Sequence, residues 1–134
     1  MDASVPSGFF PLDMAPGFDM QFGQMYGKEV DGNLILGFRV QEHHLNVANT
    51  LHGGAIATFA DWQILPAQKL VGLDIHAPTI NLSLDYLSMA VLGDWIECTV
   101  RLQKQTRTMI FTHAEITSGE NLIARANAIY YLKR

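Results

Sequence analysis

The stretch His52-Gly53-Gly54-Ala55-Ile56-Ala57-Thr58-Phe59-Ala60-Asp61-Trp62-Gln63-Ile64-Leu65-Pro66-Ala67-Gln68-Lys69-Leu70 decides the fold. From Ala55 to Leu70 it is apolar on nearly every side of a helix, with few charges among Ile56, Phe59, Trp62, Ile64 and Leu65. A helix of that kind is stable only when most of its surface is buried. Asp61 is the anomaly, an ionisable group on a helix that otherwise avoids water, and a buried carboxylate needs partners or a task. At the front of the helix, adjacent glycines let another group approach the backbone closely, and the first N–H groups have no helical partner. An oxyanion or polarised carbonyl is well placed at such an end.

Gly53 and Asp61 lie eight residues apart, which along a helix is ~12 Å at the rise of ~1.5 Å per residue. A carboxylate must come within roughly 3 Å of the atom or water that it serves. An aspartate side chain is too short to close the difference, so the two groups of one chain cannot act on the same carbonyl. If both are catalytic, two copies of the helix lie antiparallel, Gly53 of one facing Asp61 of the other. The spacing therefore predicts a homodimer with two symmetry-related sites at its interface.

Strands surround this helix in the sequence. Met25–Val30 and Leu34–Val40 read as strands joined by the turn signal Asp31-Gly32-Asn33, with Leu34, Leu36, Phe38 and Val40 facing the core. The segment Gln41–Leu51 is polar and loop-like. Beyond Pro78, Ile80, Leu82, Leu84 and Tyr86 alternate with polar residues, as do Ile96, Cys98, Val100 and Leu102, which is the period of a half-buried strand. Thr108–Thr117 and Leu122–Leu132 follow after short polar turns at Gln103–Arg107 and Ser118–Asn121, and short connections imply antiparallel neighbours. The expected order is two strands, one long helix and four strands, an α+β domain in which a curved antiparallel sheet wraps the helix. The body spans residues 23–134. Residues 1–22 are expected to be an irregular segment whose Phe9, Phe10, Phe18 and Phe22 pack over that body.

The chain's 134 residues, 49% of them hydrophobic, suit one core and are too few for two ordinary domains. Nine Lys plus Arg against thirteen Asp plus Glu give a net charge of −4 with no basic run, which argues against nucleic acid as a partner. The single Cys98 excludes an internal disulfide framework and suits a reducing compartment. Residues 1–20 have no basic n-region and are interrupted by Pro6, Pro11 and Pro16. No apolar stretch approaches the ~20 residues of a membrane helix, so a cytoplasmic protein without a membrane partner is expected.

Asn46-Val47-Ala48-Asn49-Thr50-Leu51-His52-Gly53-Gly54, followed by Ala57-Thr58-Phe59-Ala60-Asp61 and by the strand containing Tyr86-Leu87-Ser88, resembles the hotdog-fold acyl-CoA thioesterases of the phenylacetate-pathway, PaaI-like type. The likeness runs from about Leu34 to Tyr131, and its most specific element is the spacing of Asn, His-Gly-Gly and Asp. The resemblance implies a helix wrapped by antiparallel sheet, dimers often paired into tetramers, and hydrolysis of a coenzyme A thioester at the dimer interface. It implies that the Gly53 N–H holds the thioester oxygen and that the partner's Asp61 is general base or nucleophile. Asn46 would hold the thioester or the attacking water, Thr79 would support the water beside the carboxylate, and His52 would fix the loop. No separate cofactor is implied, coenzyme A being part of the substrate.

Three positions depart from the family's pattern. Asn49 stands where glycine is common, but asparagine tolerates the left-handed conformation. Pro66 removes the helical bond to the Trp62 carbonyl, so a bend one turn after Asp61 is expected. Met89 replaces a frequent proline. Lys104 and Arg107, expected on the turn before the fifth strand, are candidates to meet the phosphates of coenzyme A, because an acidic protein needs a local cationic patch for a polyanion; Arg101 and Arg125 are weaker ones. His43, His44, His76 and His113 lack the spacing of metal ligands, and neither Ser83 nor Ser88 lies on a nucleophile turn. Two rival functions fit the same sequence: a hotdog dehydratase or hydratase of 3-hydroxyacyl or enoyl thioesters, which would use histidine as acid and base, and a non-catalytic acyl-CoA-binding module.

Overall fold

The computed structural model describes residues 4–132. Seven strands form one antiparallel sheet in the order β1-β2-β3-β5-β6-β7-β4: β1 Phe10–Pro11, β2 Tyr26–Val30, β3 Asn33–Arg39, β4 Thr79–Tyr86, β5 Trp95–Gln105, β6 Met109–Ser118 and β7 Asn121–Tyr131. Asp31 and Gly32 connect β2 to β3 with φ of 50° and 82°, the left-handed pair of a tight hairpin turn whose twist matches the strands. The helical run across the sheet consists of α2, Gly53–Ala60, a 3₁₀ turn over Asp61–Gln63, and α3, Ile64–Val71, with α1, Phe18–Phe22, preceding the sheet's main body. This is the α+β arrangement the sequence leads one to expect.

Small side chains let the helical run sit close. Ala124, Ala126 and Ala128 of β7 and Ala114 of β6 are buried, and Phe59, Ala60 and Ala67 pack into the same two core clusters. Phe38 meets Phe59 and Phe22 edge to face at centroid distances of 4.7 and 5.0 Å, an arrangement that suits the quadrupoles of the rings. Cys98 lies fully inside, where burial pushes its thiol up to about 12. The thiolate is the reactive form, so this cysteine is filler.

The helix departs from expectation in two respects. It bends at Asp61 itself rather than one turn later, so Pro66 falls in the first turn of α3, where a missing N–H is tolerated. Only one of its faces is covered: Ile56, Phe59, Ala60, Gln63, Pro66 and Ala67 are buried, while Gly54, Ala57, Thr58, Asp61, Trp62 and Leu65 retain exposure. The expectation of burial on nearly every side does not hold within one chain.

The N-terminal segment is packed on the body, as expected, but is not irregular throughout. Phe10 and Pro11 pair with Gly27 and Tyr26, α1 follows, and Phe9 stacks edge-on against Trp95 at 5.1 Å. Positions 1–3 and 133–134 of the expected 1–22 and 23–134 division lie outside the described residues. The strand β4 occupies a sheet edge and is mostly exposed rather than half-buried, with Ile80 at 53% and Tyr86 at 55%. No helix among the described residues is long and apolar enough to cross a membrane.

Candidate active site

Each end of α2 carries its own constellation, and β4 runs beside both. At the N-terminus, His52 caps the helix: its Nδ1 accepts the Gly54 N–H at 2.7 Å, which fixes the neutral tautomer with the proton on Nε2. Its carbonyl takes the N–H groups of Ala55 and Ile56 at 2.9 and 3.1 Å. A Cβ on Gly54 would stand 3.0 Å from His52 Nδ1, so the cap itself calls for glycine there. At Gly53 a Cβ would meet the Tyr86 ring at an ordinary 3.4 Å, so packing inside the chain does not demand glycine. The Gly53 N–H has no acceptor among the described residues, while the Gly53 carbonyl accepts the Tyr86 hydroxyl at 2.9 Å. What remains at this end is a donor at the positive end of a helix, with room for an approaching oxygen.

At the C-terminus of α2, Asp61 stands where the α-helix gives way to the 3₁₀ turn. Thr79 Oγ1 donates to Asp61 Oδ1 at 2.8 Å, and the Tyr130 hydroxyl donates to the Asp61 carbonyl at 2.8 Å and lies 3.4 Å from Oδ1. The two hydroxyls meet there because Thr79 pairs with Tyr130 in the β4–β7 ladder, and directly opposed residues project to the same face. Burial holds the Tyr130 phenol far above its ordinary range, and the charge of Asp61 and the bond to it act in the same direction. Tyr130 is thus a permanent donor. Both described donors converge on Oδ1, which leaves Oδ2 to a water or a substrate, and Asp61 opens on a groove of about 340 Å³ shared with Thr58, Trp62, Leu82 and Phe18.

The structure therefore brings Asp61 together with Thr79, and Gly53 together with His52, but at opposite ends of an eight-residue helix. Asn46 joins neither group within the chain. Its Oδ1 accepts the N–H of Ala48 at 3.0 Å and of Thr50 at 3.1 Å, and its Nδ2 donates to Thr50 Oγ1 at 2.9 Å, so the amide holds its own loop. That loop turns through Asn49 at φ 61°, the left-handed conformation in which asparagine replaces glycine. Lys104 is not on a turn but near the end of β5, beyond an irregularity in its pairing with β6, and Arg107 lies in the following connection. Tyr130 and Tyr86 escaped the sequence reading because a tyrosine in an alternating strand looks like core. Only the register that sets Tyr130 beside Thr79 reveals its part.

Histidine chemistry finds little support in this geometry. His52 Nδ1 is occupied by the cap. His43 and His44 both place Nε2 at 2.6 Å from the Phe22 carbonyl, and His113 is bonded to Asn127 at 2.9 Å. Among the described residues no three His, Cys, Asp or Glu side chains gather as metal ligands would.

Comparison with known proteins places this geometry. Residues 48–124 match the family model described as the thioesterase superfamily. A Pseudomonas aeruginosa protein, PA0474, provisionally named an esterase, is 32% identical over 96% of this chain and 98% of its own length. Human acyl-coenzyme A thioesterase 13 is 34% identical over 65% of this chain and 62% of its own. The structure of the PaaI protein of E. coli superposes with a TM-score of 0.73 at 20% identity, over 84% of this chain and 86% of that one, a likeness of fold.

Proposed function

This chain belongs to the thioesterase superfamily, is a thioester hydrolase of the hotdog fold, and on that premise we propose that it hydrolyses acyl-coenzyme A thioesters at sites shared between two antiparallel copies. The observation that carries this reading is the division of α2 into an end with a free backbone donor and an end with a bonded carboxylate. The name of the human relative, an acyl-coenzyme A thioesterase, supports coenzyme A as the carrier. The thioester oxygen accepts the Gly53 N–H, and Oδ2 of the partner subunit's Asp61 takes a proton from water as the water oxygen attacks the acyl carbon. The oxyanion so formed is stabilised by Gly53 and the helix end, a fixed dipole that needs no reorganisation during reaction. Collapse of the intermediate breaks the C–S bond, and the thiolate leaves with the proton held by Asp61, giving free acid and free thiol. Thr79 and Tyr130 hold the carboxylate's other oxygen.

His52 serves as the cap that aims the Gly53 N–H, and Asn46 sets the loop that delivers it. Lys104 and Arg107, on the strand end and connection described above, supply positive charge for the coenzyme A phosphates. The dimer is supported by two unpartnered surfaces of the single chain: the exposed face of α2, and the free edge of β4, where Ile80, Tyr86, Leu87 and Met89 are all more than 45% exposed. An apolar edge strand of this kind invites pairing with another copy.

Thiol release from a series of acyl-CoAs by the purified protein tests the reaction. Asp61→Asn, which keeps the shape and removes the base, is expected to lower turnover about 10²- to 10⁴-fold with an unchanged melting temperature. Equal loss of turnover and assembly would place Asp61 in a structural role, and tight binding of acyl-CoAs without thiol release from the wild type would overturn hydrolysis.

A further inference from the structure

The N-terminal segment is fixed more firmly than a covering peptide requires. Phe22 is buried against Phe38 and His44, and its carbonyl accepts from two imidazoles at once, His43 and His44, each at 2.6 Å. The Leu12 N–H binds the Met25 carbonyl at 3.0 Å, and Gln24 reaches the Leu12 carbonyl at 2.7 Å. Held at this one end of α1, Phe18 at the other keeps 67% of its surface exposed. A large apolar ring is thus presented to the outside on a rigid mount.

Its position explains the arrangement. Phe18 and Thr58 border both of the grooves along α2: the one of about 340 Å³ that reaches Asp61, and another of about 370 Å³ that starts at His52 and Gly54 and passes Ala55 and Leu45 to end at Phe22. No Lys, Arg, Asp or Glu lines the second groove, and burial holds His44 below its ordinary pKa, so that imidazole is neutral. A phosphate gains nothing there, whereas an apolar group leaves water against aromatic walls. The groove also begins at the helix end where Gly53 offers its N–H. A thioester oxygen held by that N–H has two substituents to place, and the uncharged groove accepts only one of them.

We propose that the aromatic N-terminal segment forms the acyl-binding wall of the site, with Phe18 as the residue that selects an aryl or medium-length acyl group. The proposal rests on the hydrolytic reading above and adds its substrate class. A groove of about 370 Å³ lies at the small end of the range for small-molecule sites, which suits a phenyl ring or a short alkyl chain better than a long one. The coenzyme A portion then leaves on the opposite side, away from α1.

The test is the kcat/KM for thiol release from acetyl-, hexanoyl-, phenylacetyl- and palmitoyl-CoA by the wild type and by Phe18→Ala, whose exposed site spares the fold. The wild type is expected to prefer the hexanoyl and phenylacetyl substrates. Phe18→Ala is expected to lower both by about tenfold, mainly through KM, while acetyl-CoA changes less than about twofold. Palmitoyl-CoA is expected to gain as the wall is removed. Wild-type turnover with ratios left unchanged by the substitution, or lowered uniformly, would overturn the wall and leave hydrolysis standing. No thiol release from any of the four by the wild type would overturn both.

Discussion

At the scale of single residues, the account turns on how Asp61 is held. Its carbonyl would bond the N–H four residues on in a continuous α-helix, but the 3₁₀ turn frees it, and the buried Tyr130 hydroxyl takes it at 2.8 Å. The same hydroxyl lies 3.4 Å from Oδ1, and Thr79 donates there at 2.8 Å. Tyr130 thus acts through Asp61 as a positioning residue. Tyr130→Phe removes the donor and leaves a carbonyl unsatisfied in a buried place, a loss of about 1–3 kcal/mol in unfolding free energy. If its role is positional, steady-state kinetics will show kcat lowered with KM little changed; a fall confined to stability would reduce it to a packing residue. The bearing of Thr79 on Asp61 was implied from the sequence by resemblance, and the geometry supplies the bond. Asn46 illustrates the opposite case, since its amide could as well have faced a substrate. Its local bonds to Ala48 and Thr50 decide its orientation within the chain, and residue spacing does not encode them.

At the scale of elements, the helix was readable because a long apolar run admits few alternatives, and the β2–β3 hairpin because Asp31-Gly32 fits only a tight left-handed turn. The bend was legible only in part: Pro66 announced it, but Tyr130, distant in sequence, placed it at Asp61. The depth of β4 could not be read, since alternation reports which residues share a face and says nothing of whether a neighbouring strand lies beyond. The clamp on α1 was equally hidden, because His43 and His44 carry no signal that they share one carbonyl. Its energetics have a definite sign. Burial lowers the pKa of His44, the Phe22 carbonyl opposes that, and neighbouring His43 adds to it. The folded protein therefore binds this proton less readily than the unfolded chain, so the contribution is complete above the ordinary histidine pKa and is lost as pH falls below it. Melting temperatures measured from about pH 8 to pH 5 are expected to fall more steeply for the wild type than for His44→Gln. Parallel slopes would mean that the clamp is not coupled to protonation.

At the scale of the whole molecule, the single chain leaves its chemistry divided. One end of α2 can stabilise charge and the other can take a proton, and the helix between them separates the two by ~12 Å. Both the bare face of α2 and the free β4 edge lie beside these groups, so one interface could cover the apolar surface and join the two half-sites. Gly53→Pro makes the division testable, because proline is accommodated at the first position of a helix. His52 already has the extended backbone, φ −65° and ψ 135°, that a following proline requires, and the Cβ space at Gly53 is ordinary. The substitution deletes the N–H and little else. The most direct measurement mixes Gly53→Pro protein with Asp61→Asn protein, each inactive alone, under conditions that exchange subunits. If each site draws its donor from one copy and its carboxylate from the other, every heterodimer carries one intact site, and an equimolar mixture recovers about a quarter of wild-type thiol release. Heterodimers that form, as shown by co-purification of two tags, but recover no activity would contradict the shared site.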